Sequence, residues 1–229
     1  MTGATQRGKF IVIEGIDGSG ISTQVELLRM WFKAQNLPLY VTKEPTRSPI
    51  GGLIEGALRH HITFTPYVMS LLFTADRVDH VAKDIEPALA SGKNVLSDRY
   101  TLSGLAYQSV DVGYDWLRVL NAPCPEPDLT IFLDVPVEVS VERASGDAHR
   151  DRTELYEQES TLERVRASFL DIIDAMRLEG HDIETVDATG SPLEVARRIS
   201  RIVATLFRGT EPELPENVLQ GLRVIHGGE

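Results

Sequence analysis

The stretch Phe10-Ile-Val-Ile-Glu-Gly-Ile-Asp-Gly-Ser-Gly-Ile-Ser-Thr23 decides the fold class, because it joins a strand to a helix through a glycine-rich loop. Phe10–Ile13 is a short apolar run of strand-favouring residues. The apolar residues that follow the loop recur at helical spacing: Val25, Leu27, Leu28, Trp31 and Phe32. Glycines let successive backbone N–H groups converge on phosphate oxygens, and a helix N-terminus adds partial positive charge. The unit therefore predicts a phosphate-binding loop.

The loop departs from the usual phosphate-binding pattern at one position. The pattern G-x-x-x-x-G-K-S/T is met from Gly15 to Ser22 except that Ile21 stands in place of the lysine. The lysine normally reaches the β- and γ-phosphates of the nucleotide. Losing one charge-stabilising donor costs about 10²–10³ in rate. The chain is then either a slow kinase or a kinase that takes the positive charge from another residue. For the loop considered alone, the alternative interpretation is a glycine-rich strand-to-helix turn without a phosphate-binding role.

The remaining chain alternates strands with helices. Further strands are predicted at Leu39–Thr42, Lys93–Ser97, Leu129–Leu133 and Ile183–Val186. Helices are predicted at Val68–Leu89, from Pro136 onward, at Thr161–Leu178 and at Leu193–Phe207. The polar stretch from Ala144 to Glu159 is predicted to be a loop or a mobile flap. This alternation predicts an α/β fold with a parallel sheet covered on both faces.

Composition narrows the class of protein. The net charge of −11 argues against a nucleic-acid partner, because phosphate backbones select for positive fields. Cys124 is the single cysteine, so an intrachain disulfide and a thiol-bound metal cluster are excluded. Met1–Lys9 lacks the apolar stretch of a signal peptide, and no window approaches the length of a membrane span. We expect a soluble cytoplasmic protein without a membrane partner.

Two further segments carry candidate site residues. Asp98 and Arg99 end the third predicted strand, the edge where open α/β sheets bind ligands, so the carboxylate is placed for Mg²⁺ and the guanidinium for a phosphate. A surface ion pair is the alternative. Phe73 and Arg77 stand at i and i+4 on one helix face, where they offer a base a stacking surface and a donor. The alternative is a core ring beside a solvated charge.

Taken together, these segments resemble the thymidylate kinase family over roughly residues 9–207. The matching segments are Phe10–Gly20, Ser22–Gln24, Leu71–Phe73, Ala75–Arg77 with His80, Asp98–Tyr100, Ser103–Gly104, Ala106–Gln108, Pro127–Pro136 and Asp151–Arg152. The resemblance implies a three-layer P-loop NTPase-type fold with a five-stranded parallel sheet, and ATP-dependent, Mg²⁺-dependent phosphorylation of dTMP to dTDP by a homodimer. It also implies one domain over residues 1–208, with a mobile LID at about 144–159, and an appendage at 209–229.

The resemblance assigns roles residue by residue. The ATP site would comprise Gly15, Asp17, Gly18, Ser19, Gly20, Ile21, Ser22, Thr23 and, beside the adenine, Arg143. The dTMP site would comprise Asp17, Glu44, Arg47, Phe73, Arg77, Arg99, Ser103, Tyr107 and Gln108. Within it Phe73 would stack on thymine, Arg77 would bond its exocyclic oxygen, and Arg99 and Arg47 would hold the acceptor phosphate. Ser22 and Asp98 would bind Mg²⁺, and Asp98, Arg150 and Arg152 would be catalytic.

Two departures from the family pattern shape the functional prediction. Thr42-Lys-Glu-Pro-Thr-Arg47 stands where the family has Thr-Arg-Glu-Pro-Gly-Gly, and Ile21 replaces the lysine. We expect Arg150 or Arg152 of the flap to enter the closed site and supply the missing charge; solvated flap charges are the alternative. The sequence favours an active dTMP kinase over a nucleotide-binding regulator with little catalysis. Phosphorylation of another monophosphate or nucleoside is the third reading.

Overall fold

The computed structural model describes residues 6–144 and 152–214, with the backbone alone for residue 144 and residues 152–158. The described residues form a five-stranded sheet in the order β2-β3-β1-β4-β5. All four neighbouring pairs of strands are parallel. The strands are β1 Phe10–Gly15, β2 Leu39–Lys43, β3 Asn94–Asp98, β4 Leu129–Asp134 and β5 Ile183–Asp187. The five predicted strands and the parallel α/β sheet are confirmed.

Helices cover both faces of the sheet. In chain order they are α1 Ile21–Ala34, α2 Pro49–Leu58, α3 Pro66–His80, α4 Glu86–Ala90, α5 Thr101–Gln108, α6 Tyr114–Asn121, α7 Val137–Ala144, α8 Arg152–Leu178 and α9 Pro192–Ala204. A π-helical turn, Val81–Ile85, joins α3 to α4, so the long helix predicted at Val68–Leu89 is one continuous rod with a wider turn inside it. The prediction missed α2, α5 and α6. Helix α8 begins at Arg152 rather than at Thr161, so residues 152–159 of the predicted loop or flap are helical instead.

The apolar core lies on both sides of the sheet and makes the three layers. On one face Trp31 and Phe32 of α1 pack with Ile199 and Val203 of α9. On the other face α5 and α8 pack through residues that include Leu105 and Phe169. These two layers fix the carboxyl ends of the strands, where the connections to the helices gather, as the site-forming edge of the sheet.

Helix α3 turns polar residues inward. Its buried residues are Ser70, Thr74, Asp76, Arg77 and His80. Val68, Leu71 and Val78, which belong to the apolar pattern that predicted this helix, are exposed instead. The inward face is polar because it closes a site rather than the core.

The last described residues, 211–214, pack against helices α1 and α9 on one face of the sheet. The indole Nε1 of Trp31, in α1, donates to the carbonyl of Glu211 at 3.0 Å, and the hydroxyl of Ser200, in α9, donates to the carbonyl of Pro212 at 2.7 Å. Leu214 is buried in the same core cluster. Across the residues that the structure describes, every helix is too short or too polar to span a bilayer.

Candidate active site

The glycine-rich loop between β1 and α1 has the backbone shape of an anion cradle. Gly18 and Gly20 adopt φ of 82° and 96°, a region that side chains with a Cβ rarely enter. A Cβ on Gly18 would lie 2.2 Å from the carbonyl oxygen of Ser140. Helix α1 begins at Ile21 without a side-chain cap on Gly20. Its first backbone N–H groups therefore have no intrahelical acceptor and remain available to phosphate oxygens.

Ile21 packs into the core instead of reaching the loop's mouth. Its side chain is 5% exposed and belongs to the cluster that holds Trp31 and Phe32. A lysine would have projected an ammonium group toward the phosphates from this position. The loop thus offers backbone donors and a helix N-terminus without a cation of its own.

Ser22 and Asp98 meet beside the loop, as the sequence predicted for a metal site. The parallel pairing of β1 with β3 sets Ile13 against Asp98, which brings the end of β3 to the loop. The Ser22 hydroxyl donates to Oδ2 of Asp98 at 2.9 Å. Mg²⁺ takes oxygen ligands and commonly binds through one or two protein groups together with substrate phosphates. The described residues hold no cluster of three metal-binding side chains, so the fit is to that sparse kind of site.

A cavity of about 670 Å³, which we call the donor cavity, opens over the loop. Besides the whole loop, its walls include Lys43, Asp98, Arg99, Arg143 and residues of the β5–α9 connection. Nη1 and Nη2 of Arg143 donate to the carbonyls of Ala188, Thr189 and Gly190 at 3.0, 3.3 and 3.4 Å. Arg143 is therefore fixed to the β5–α9 connection, which forms part of the wall of the donor cavity.

A second cavity of about 190 Å³, the nucleoside cavity, lies on the other side of the strand ends. The predicted acceptor residues that line it are Asp17, Glu44, Phe73, Arg77, Arg99, Ser103, Tyr107 and Gln108. Leu58, Pro45, Tyr100 and Gly104 complete the wall. The cavity contains the aromatic ring, the guanidinium groups and the polar side chains that the sequence assigned to a pyrimidine nucleotide.

A buried ion pair between Arg77 and Glu44 forms part of the wall of the nucleoside cavity. Nε of Arg77 donates to Oε2 of Glu44 at 2.8 Å, and the Arg77 side chain is 2% exposed. Nη2 donates to the carbonyl of Tyr100 at 3.0 Å, and Nη1 donates to Oδ1 of Asn121. His80 Nδ1 lies 3.1 Å from Oε1 of Glu44. Arg77 is neither a solvated charge nor free to rotate, because three of its N–H groups are already bound.

The segment after β2 is fixed by Asp76. Its carboxylate accepts bonds from the backbone N–H of Thr46 at 2.7 Å, from the Thr46 hydroxyl at 2.6 Å and from the Ser48 hydroxyl at 2.8 Å. Arg47, which the resemblance placed on the acceptor phosphate, is exposed and lines a third cavity, which shares Ser22, Lys43 and Asp98 with the donor cavity. Arg47 therefore lies beside the strand ends, outside both the donor and the nucleoside cavity.

Three residues form a wall common to the two cavities: Asp17, Glu44 and Arg99. Nη2 of Arg99 donates to Oδ1 of Asp17 at 2.6 Å, and Nη1 donates to the Gly15 carbonyl and to the Ser103 hydroxyl, both at 2.9 Å. Arg99 has a φ of 70°, a costly conformation for a residue with a Cβ. The strained backbone and the three bonds hold its guanidinium at the junction of the cavities.

Glu14 supports this junction from beneath. Its buried carboxylate accepts bonds from the backbone N–H of Tyr100 and Ser103, and from the Ser103 hydroxyl. Burial raises the pKa of the Glu14 carboxyl, and the Ser103 hydroxyl opposes that shift. Burial also raises the pKa of Tyr107 to about 12, so its hydroxyl stays neutral where it accepts the Asp17 backbone N–H at 3.0 Å.

The structure also shows site residues that the sequence did not assign. Lys43 lines the donor cavity, and Asn121 and His80 complete the buried network around Arg77 and Glu44. His80 stood in the family pattern, whereas Asn121 gave no sequence signal. Arg150 lies outside the described residues, and only the backbone of Arg152 is described, at the start of α8. Their predicted roles stay predictions.

Comparisons with known proteins agree with this geometry. Residues 13–199 match the family model described as "Thymidylate kinase". A "Probable thymidylate kinase" of Pyrococcus abyssi is 39% identical over 206 residues, which cover 86% of this chain and 96% of that protein. Proteins of the same name from Thermococcus gammatolerans and Pyrobaculum aerophilum are 39% and 37% identical, with 86% and 87% of this chain and 96% and 98% of theirs covered.

Proposed function

The chain belongs to the thymidylate kinase family, and on that premise we propose that it transfers the γ-phosphoryl group of ATP to dTMP, giving ADP and dTDP. The wall common to the donor and nucleoside cavities carries this proposal. Two phosphorylated ligands that enter from opposite sides would meet at Asp17, Glu44 and Arg99. Holding two phosphates in line is the main task of an enzyme in phosphoryl transfer.

On the donor side, the loop amides would bind the phosphates and Arg143 would hold the wall beside the adenine. Ser22 and Asp98 would hold Mg²⁺, which neutralises charge on the phosphates when it is bound. ATP is the co-substrate in this scheme. Because ATP is supplied in the cytoplasm, we place the reaction there.

On the acceptor side, the fixed Arg77 supports a choice of base. Its guanidinium can donate but not accept, and its bonds to Glu44, Asn121 and Tyr100 prevent it from turning away. The N–H groups that remain can bond a carbonyl oxygen such as O4 of thymine. An amino group at the same position, as in cytosine, would leave two donors facing each other. Phe73 lines the same cavity, where its ring would stack on the base.

The test of the function is the formation of ADP from ATP and Mg²⁺ with each of dTMP, dUMP, dCMP and dGMP, by the unmodified chain and by Ile21→Lys. We expect the unmodified chain to turn over with dTMP and to discriminate strongly against dCMP and dGMP. Turnover only in Ile21→Lys would instead support the alternative function, a nucleotide-binding regulator. The one observation that favours this alternative is that Ile21 replaces the loop lysine. Turnover that favours dCMP would contradict the role given to Arg77.

The flap arginines enter this proposal from the sequence alone. Arg150→Ala or Arg152→Ala should lose most turnover if either side chain enters the closed site. Unchanged turnover in both variants would remove the flap from the mechanism.

We also propose that the chain acts as a homodimer. The exposed side chains Leu53 of α2 and Tyr67, Val68 and Leu71 of α3 lie on two helices that pack together. Exposed apolar side chains on two adjacent helices are typical of a protein–protein interface. Sedimentation equilibrium should give a dimer for the unmodified chain and a monomer for Leu71→Glu, while Val119→Glu, at an exposed position on α6, should leave the mass unchanged. A monomeric unmodified chain would contradict the proposal.

A further inference from the structure

The donor cavity contains three cations among the described residues: Lys43, Arg99 and Arg143. They differ in what already binds them. Arg99 is committed to Asp17, the Gly15 carbonyl and Ser103. Arg143 is committed to three backbone carbonyls of residues 188–190. Of these three cations, only Lys43 has a side chain that makes no hydrogen bond within the described part of the chain.

Strand pairing places Lys43 beside the metal-side groups. Lys43 is the last residue of β2, and its partner in the parallel register is Asp98, the last residue of β3. Paired residues of neighbouring parallel strands point to the same face of the sheet and lie about 4.8 Å apart. Asp98 points toward the loop, because it accepts the bond from Ser22. The Lys43 side chain therefore starts on the face of the sheet that carries the phosphate loop.

Lys43 is also free to move toward a phosphate. Its side chain is 49% exposed, and its nearest carboxylate oxygen is Oε1 of Glu55 at 3.9 Å. An exposed pair at that distance holds a lysine weakly, by less than about 1 kcal/mol. A charge-assisted bond to a phosphate oxygen is stronger, so ATP can displace Glu55 as the partner of Lys43.

We propose that Lys43 takes over the role of the missing loop lysine and binds the terminal phosphates of ATP. The inference rests on the proposed function and deepens it. The bond between the γ-phosphorus and the β–γ bridging oxygen breaks while a bond forms to a phosphate oxygen of dTMP. Lys43 keeps its proton throughout and offsets the negative charge on the transferring group and on the ADP that leaves. Ile21 can pack in the core because the cation comes instead from the end of β2, beside Asp98 of β3.

Measurements of nucleotide affinity test the proposed contact between Lys43 and the terminal phosphates without any turnover. The affinity for the non-hydrolysable imido analogue of ATP and the affinity for ADP are measured in excess Mg²⁺ by calorimetry. Lys43→Gln should weaken the analogue at least about tenfold and ADP much less, because a bond to a charged group contributes on that scale. The matched control is Lys33→Gln, which removes the same charge from the exposed last turn of α1, about 18 Å along the helix from Ile21. An analogue-to-ADP preference equal in Lys43→Gln and the unmodified chain would overturn the assignment.

Turnover separates the role of Lys43 from that of a merely structural residue. We expect kcat of Lys43→Gln to fall about 10²–10³-fold, with a small change in KM for dTMP. Lys43→Arg should retain most of kcat, and adding Ile21→Lys to Lys43→Gln should restore part of it. Activity of Lys43→Gln within threefold of an active unmodified chain would overturn the inference. If the unmodified chain fails to turn over while Lys43→Gln still loses its preference for the analogue, the kinase function fails and the phosphate contact stands.

Discussion

The donor cavity and the nucleoside cavity differ in the parts of the protein that form their walls. The donor cavity is wide, about 670 Å³, and its phosphate-binding part is backbone, with glycines at positive φ and a helix N-terminus. The nucleoside cavity is smaller, about 190 Å³, and its wall includes the buried side chains of Glu44 and Arg77, which bond each other. Backbone donors persist when a side chain changes, whereas an interlocked network fails when one member is lost. The difference is consistent with Ile21 in the loop, and it predicts that replacing Glu44 or Arg77 is costly.

Removal of the Arg77 side chain should have the largest effect on the nucleoside cavity. Arg77→Met leaves the Glu44 carboxylate buried without its cation, and breaking a buried pair in this way costs about 3–5 kcal/mol. We expect the free energy of unfolding in urea to fall by that amount. Arg29→Met is the matched control, because its pair with Glu26 lies on the exposed surface of α1 and is worth about 0.5 kcal/mol. Equal losses in the two variants would mean that the buried network does not set the stability of the cavity.

A smaller effect is expected from a methyl group added to the cavity wall. The Cβ of Gly104→Ala would lie 3.1 Å from Nη2 and 3.2 Å from Nη1 of Arg77. Overpacking of this kind costs about 1–3 kcal/mol, so KM for dTMP should rise roughly 10- to 100-fold while KM for ATP stays near its original value. Gly52→Ala, whose Cβ meets nothing within 4 Å, is the control and should leave both constants unchanged. A rise in KM for ATP alone would contradict the placement of the two ligands.

The pH dependence of stability probes the junction between the cavities. The raised pKa of Glu14 means that the folded chain keeps a proton that the unfolded chain releases above its ordinary pKa of 4.5. The folded state binds more protons in that window, so its stability falls as pH rises, by at most about 1.4 kcal/mol per pH unit. Glu14→Gln should lack this part of the slope. Urea unfolding of the unmodified chain and of Glu14→Gln at a series of pH values from 4.5 upward measures the two slopes. Parallel plots of unfolding free energy against pH would show that Glu14 does not titrate in this range.

The smallest effect is expected on the donor side. Arg143→Ala removes bonds to the carbonyls of residues 188–190 but leaves the loop amides in place. KM for ATP should rise by less than about tenfold, and KM for dTMP should not change. Steady-state kinetics with each substrate varied in turn measures both constants. A loss of a hundredfold or more would show that the donor cavity depends on side chains as strongly as the nucleoside cavity does.

The sequence predicted the strands and the loop well because their signals are local. The central strands β1 and β4 are buried along nearly their whole length and are rich in apolar residues, and the loop follows β1 directly. Helix α2 was missed because its ten residues include Gly51, Gly52 and Gly56, which disfavour helix. Helices α5 and α6 have eight residues each, too few for a clear period. As a result, the sequence did not predict these two short helices, which help to close the nucleoside cavity.

Most of the site residues came from a family pattern, and the pattern does not show which of them meet. Glu44 and Arg77 are 33 positions apart, and only the fold brings them together as a buried pair. Lys43 and Arg47 are both cations of one short segment. The strand register, which the sequence does not reveal, puts Lys43 rather than Arg47 on the donor cavity.

The docking of the chain's last described residues gives the protein a built-in optical probe. Trp31 is fully buried, and its indole bonds the carbonyl of Glu211. Removing the residues after Arg208 would leave that N–H without its acceptor and admit water to the ring. In a Trp116→Phe variant, where Trp31 is the single tryptophan, the fluorescence emission should then shift to longer wavelength, so a spectrometer can report whether this terminal segment is seated while ligands are added elsewhere.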